Sequence, residues 1–85
     1  MRDAVEAQLE EENPEAVLLE GFDDALIGIA RRNGLSVAAY SEEKCLEVLM
    51  AQGMEREGAI DYFENNVAGS WMGDGTPIIV GVPVC

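Results

Sequence analysis

Asn33-Gly34 separates two apolar runs, Ala25-Leu26-Ile27-Gly28-Ile29-Ala30-Arg31-Arg32 before it and Leu35-Ser36-Val37-Ala38-Ala39-Tyr40 after it. An Asn-Gly pair in such a setting is a strong signal for a two-residue β-hairpin, because both central residues of that tight turn need positive φ. The reading turns on what residues 25–32 form. Asp23 could cap a helix there, with Gly34 as its terminating residue. Gly28 opposes this, since glycine inside a helix costs about 1 kcal/mol relative to alanine. The strand reading is preferred, and 25–32 then pairs with 35–40.

The flanking segments supply the remaining elements. Glu15-Ala16-Val17-Leu18-Leu19-Glu20, bounded by Pro14 and Gly21, reads as a strand that completes a three-stranded meander. Ser41 is a good N-cap, and Glu42 and Glu43 follow it where the helix dipole favours acids. That helix runs to about Gln52, with Cys45, Leu46, Leu49 and Met50 as its apolar stripe and Gly53 closing it. A second helix spans about Glu55 to Val67, with Ala59, Ile60, Phe63 and Val67 on its apolar face and Tyr62 at the edge. The short connection pairs the two as a helix hairpin. After glycines 69, 73 and 75, Ile78-Ile79-Val80-Gly81-Val82 reads as a last strand, stopped by Pro83. Residues 1–13 form a short acidic helix, ended by Asn13-Pro14. Its stripe of Val5 and Leu9 is thin, and Glu10, Glu11 and Glu12 oppose the helix dipole. The expectation is that it orders against a partner or a second copy. The fold expected is α+β: an antiparallel sheet of about four strands, a helix hairpin on one face, and a short N-terminal helix. All 85 residues form one domain, with residues 15–85 as its core.

Charge narrows the function. Seventeen acids against five bases give a net charge of −12, with no histidine to modulate it. Such a surface repels nucleic acid and anionic membrane and attracts basic partners. An apolar fraction of 48% argues against disorder, so the charge decorates a fold. No apolar run approaches the roughly 20 residues that span a bilayer, and Met1-Arg2-Asp3-Ala4 does not open a signal peptide. Cys45 and Cys85 are too few for a disulfide scaffold and read as reduced thiols. Cys85 stands last and not fourth from the end, so a prenylation box is not expected.

Gly21–Gly28, Tyr40 with Lys44-Cys45, the stretch Tyr62-Phe63-Glu64-Asn65-Asn66-Val67-Ala68-Gly69, and Thr76-Pro77 together resemble a family of small acidic proteins of tailed phages and prophages. The likeness covers about residues 16–80. It implies a phage context and the bacterial host cytoplasm, with an anti-defence or anti-CRISPR role among the expectations. It implies no catalytic residues. The acidic leader 1–13 and Val82-Pro83-Val84-Cys85 lie outside it.

Catalytic signatures are missing. Asp23-Asp24 could bind Mg²⁺ or share a proton, but aspartates in a turn need no such role, and successive strand residues face opposite ways. Cys45 lacks a partner base. Gly73-Asp74-Gly75-Thr76 lacks the Lys-Ser/Thr ending of a phosphate loop. Trp71-Met72 reads either as a lid on the core or as an exposed interface anchor. Asn65-Asn66 reads as helix capping. No metal, cofactor or enzymatic activity is expected.

The carboxylates carry the most content. Glu43 and Glu47 are four apart on the first helix, and Glu57, Asp61 and Glu64 follow i, i+4, i+7 on the second. Each four-residue step rises roughly 6 Å, comparable to the phosphate spacing along a nucleic-acid strand. The alternative is an ordinary solvated face. The function expected is a non-enzymatic acidic inhibitor that presents these acids, aided by residues 1–15 and with Asp23, Asp24 and Trp71, to the basic groove of a host nucleic-acid-binding defence complex, without touching nucleic acid or membrane. The other reading is a small homo-oligomeric assembly module, for example a homodimer, using strand 78–82, Trp71 and the N-terminal stripe.

Overall fold

The computed structural model describes residues 2–68, 73 and 75–81. In chain order they form helix α1 (Arg2–Glu12), a 3₁₀ turn (Asp23–Ala25), strands β1 (Leu26–Arg32) and β2 (Leu35–Ser41), helices α2 (Glu42–Ala51) and α3 (Arg56–Phe63), a π-helical turn (Glu64–Ala68) and strand β3 (Ile78–Val80). The fold is α+β.

β1 and β2 make the hairpin, antiparallel from Arg32–Leu35 at the turn outward. Asn33 (φ 54°) and Gly34 (φ 80°) take the left-handed conformation that the turn demands. The strand reading of 25–32 therefore holds over Leu26–Arg32. β3 lies on the far side of β2 and runs parallel to it, Ala39 opposite Ile78 and Ser41 opposite Val80. The described sheet is thus three-stranded and mixed, in the order β1-β2-β3, where about four antiparallel strands were expected. A parallel neighbour needs a long crossover, and residues 42–77, with both helices, supply it.

Residues 15–20 are the second departure: they form no strand. Ala16, Val17, Leu18 and Leu19 are all half-buried, without the alternation of a one-sided strand. Their amides also find unrelated acceptors. Ala16 N–H donates to the Asn13 carbonyl (2.9 Å), Val17 N–H to the Gly75 carbonyl (2.9 Å) and Leu19 N–H to the Tyr40 hydroxyl (2.9 Å). The segment is a strap over the core, held at points. Gly75 lets it lie close, since a Cβ there would be driven into the Glu15 carbonyl oxygen.

A bulge sets the faces of β1. Leu26 pairs with Tyr40 and Gly28 with Ala39, leaving Ile27 as the extra residue. Gly28 has φ 151°, open to glycine and strained for other residues. The inserted residue lets Leu26 and Ile29 both pack into the core, an odd spacing that regular alternation forbids, while Ile27 is left 41% exposed.

One core forms on that face of the sheet. Leu26, Ala38 and Tyr40 meet Val5 and Leu9 of α1, Cys45, Leu46 and Leu49 of α2, and Ala59 and Phe63 of α3. α1 packs against its own sheet, through Val5 and Leu9. Its unfavourable C-terminal acid is answered there. Glu12 Oε1 accepts from the Ser36 hydroxyl (2.7 Å) and from Arg31 Nη2 (3.2 Å), and Asn13 Nδ2 donates to the Ser36 carbonyl (2.9 Å). Arg31 points to this face. Arg32, next along the strand, serves the other one and donates to the Thr76 carbonyl at 2.8 Å. Val37 and Ala39 are buried on that reverse side.

Two substitutions test this account. Tyr40→Phe removes the acceptor of Leu19 N–H and should lower unfolding free energy by about 1–2 kcal/mol in urea titrations, without changing the fold. Gly28→Ala forces alanine into a strained angle and should destabilise by more than about 1 kcal/mol in the same assay.

Candidate functional site

Ser41 begins α2 as the N-cap, its hydroxyl accepting from Lys44 N–H (3.3 Å), with Glu42 and Glu43 in the first turn. Cys45, Leu46 and Leu49 turn inward, which leaves Glu43, Lys44 and Glu47 exposed. Met50, expected in the stripe, lies at its margin and is 39% exposed. The chain then doubles back: Gln52 and Met54 amides donate to the Leu49 carbonyl (3.1 and 3.4 Å), and Gly53 N–H to that of Met50 (3.0 Å). This return carries Arg56 to Glu43, in a paired contact of 3.0 Å from each terminal nitrogen to a separate carboxylate oxygen. The guanidinium holds the Glu43 carboxyl below the usual carboxylate range. Glu47 also acts electrostatically on Arg56.

α3 buries Ala59 and Phe63 and turns Glu57 and Asp61 outward, with Glu64 following at the start of the π turn; all three are exposed and none is in an ion pair among the described residues. Asn65 and Asn66 donate their side-chain amides to the carbonyls of Asp61 (2.8 Å) and Tyr62 (3.0 Å). That is the local carbonyl bonding expected of asparagine at a helix end, here over a π turn.

The Asp23-Asp24 turn packs against α2. Its two acids divide. Asp23 is bonded to Arg2 and so fastens the start of α1, while Arg2 also approaches Glu6 (3.5 Å). Asp24 shares a shallow depression with Lys44, Glu47, Val48 and Ala51. Of the residues expected at the site, the structure gathers Asp24 with Glu47, joins Glu43 to α3 through Arg56, and sets Glu57, Asp61 and Glu64 along α3's outer side. Asp23 is turned to another task, and Trp71 lies outside the described residues. No group of three His, Cys, Asp or Glu able to hold a metal occurs among the described residues. Cys45 is buried and free, its thiol pushed up to about 11 by burial and then by Glu42, the reverse of an activated nucleophile.

Among the polar contacts that sequence reasoning missed, two involve the acids in question. One is the Glu43–Arg56 bridge, 13 residues apart along the chain. The other joins Glu12, Arg31 and Ser36, with Gln8 Nε2 donating to Glu12 Oε2 at 2.6 Å. Only the Gln8–Glu12 spacing of four was visible in advance.

With this geometry in hand, the chain matches no protein-family model, no curated protein and no solved structure. No helix among the described residues is long and apolar enough to cross a membrane.

The pairings add a contribution of their own to the response to acid. Glu12 is held below the ordinary glutamate value by the Ser36 hydroxyl first, then by Gln8 and Arg31; Glu43 is held down by Arg56. A lowered folded value means stability present above the unfolded value, about 4.3, and lost as pH falls through the folded one. In urea unfolding from pH 6 to pH 2, the parent's stability advantage over Glu12→Gln and over Glu43→Gln should shrink as the pH falls.

Proposed function

We propose that this protein is a non-enzymatic acidic binder of phage or prophage origin that occupies a basic, nucleic-acid-binding groove on a host defence complex, a nuclease or a CRISPR assembly, in place of DNA. The observation that supports the reading best is the outer side of α3. Glu57, Asp61 and, just past the helix, Glu64 are exposed there and make no ion pair among the described residues, and Arg56, which joins α3 to α2, is already held by Glu43. Acids left unneutralised in a chain of net charge −12 repel one another and weaken the isolated fold. A basic partner relieves that repulsion and is drawn in by the same field. The exposure of the row makes it a contact surface without any rearrangement of the core. The partner's grooves and its salt sensitivity follow from charge, while the phage setting rests on the sequence resemblance.

Self-association is the second reading. β1 lies at one end of the strand order, with Ile27 and Leu35 exposed along the hairpin. The bulge at Ile27-Gly28 and the charges of Arg31 and Arg32 blunt such an edge, however, and like charge opposes bringing two copies together. The acidic-binder reading is therefore preferred.

The test is capture from bacterial lysate on immobilised protein, eluted in steps of salt, beside the Glu57→Gln, Asp61→Asn, Glu64→Gln triple variant. A nucleic-acid-binding complex released at moderate salt by the parent and absent with the variant is the expected result, with the variant's Tm unchanged or raised. Equal capture by both proteins, or capture indifferent to salt, would overturn the reading. Sedimentation showing a dimer insensitive to the triple change would favour self-association.

A further inference from the structure

Two residues on α3 are unexplained by the fold. Gly58 is exposed in the first turn of the helix, and a Cβ built on it meets nothing within 4 Å. Neither a close contact nor a left-handed backbone calls for glycine there, yet glycine is less favourable than alanine in a helix by up to about 1 kcal/mol. Tyr62, one turn later on the same side, is 44% exposed, the most exposed of the large apolar side chains described. Together they make a low step at Gly58 beside a raised ring at Tyr62.

We propose that this face of α3 is the docking point for an arginine-bearing segment of a basic protein partner, whose guanidinium stacks on the Tyr62 ring while its backbone closes over Gly58. The charge around it selects the occupant. Glu55 and Asp61 lie three residues on either side of Gly58, Glu57 adjoins it, and all three are exposed. A cation held over an aromatic face beside carboxylates gains from both. The polar groups next to the ring do not compete for the ligand: Asn65 and Asn66 have their amides turned back onto the carbonyls of Asp61 and Tyr62. A side chain at Gly58 would lift the partner off the helix.

This inference rests on the acidic-binder reading and goes further, naming where the partner touches and by what chemistry. The experiment is an NMR titration of the full ¹⁵N-labelled chain with a nona-arginine peptide, with nona-lysine as comparison. Shifts should centre on Gly58 and Tyr62, with arginine binding more tightly than lysine. Tyr62→Ala and Gly58→Leu should each weaken nona-arginine binding by roughly five- to tenfold. Gly58→Ala, the control for folding, should hold or raise Tm. Shifts centred on the acids of α1, or full affinity in Tyr62→Ala and Gly58→Leu, would overturn this docking point. If the triple acid variant still loses binding in that case, the acidic-binder reading survives alone. No binding by the parent, or undiminished binding by the triple variant, would sink both.

Discussion

Tyr40 is the side chain on which the other parts converge. It sits on the middle strand of the described sheet, paired with Leu26 on one side and Ile79 on the other, and the residue is 1% exposed within the core. Its hydroxyl accepts the Leu19 amide and so fixes the strap that crosses that core. Burial raises its pKa above the ordinary tyrosine value, so the hydroxyl stays protonated and neutral at physiological pH. A phenylalanine would fill the space and leave the strap's amide without its acceptor. A small domain has few such points, and this one joins sheet, strap and helices in a single residue.

The second organising constraint is where so few cations go. Arg2 holds the 3₁₀ turn, Arg31 holds the end of α1, Arg32 crosses the reverse face of the sheet, and Arg56 ties α3 to α2. Each arginine joins elements distant in sequence, and none is spent along the outer row of α3. The distribution separates structural charge from surface charge. The arginines stitch elements together, and many of the acids left over lie on the outward sides of the helices, where solvent screens them.

The hairpin was legible because its signal is local: Asn33-Gly34 needs only its own backbone preferences and two neighbouring apolar runs. The helix of residues 42–51 was legible for the same reason, through Ser41 and the acids after it. Residues 15–20 misled because a short apolar run looks alike as a strand and as a buried strap, and the difference lies in where its amides find acceptors. The acids of α2 and α3 were placed correctly on outward faces by their spacing. That Asp23 would serve Arg2 and not the acidic surface was invisible, as was the pairing of Glu43 with Arg56, since both depend on how the chain folds back.

By itself the sequence determined the α+β class, the hairpin, both central helices with their inward and outward sides, and the acidic field, because each follows from local periodicity, capping and composition. The tertiary structure alone decided the direction of β3, the seating of α1 on the sheet, and the bulge that puts Leu26 and Ile29 on one face. It also decided which acids are neutralised. Those outcomes depend on long crossovers and on contacts between residues far apart in the chain, where no local preference competes strongly enough to choose.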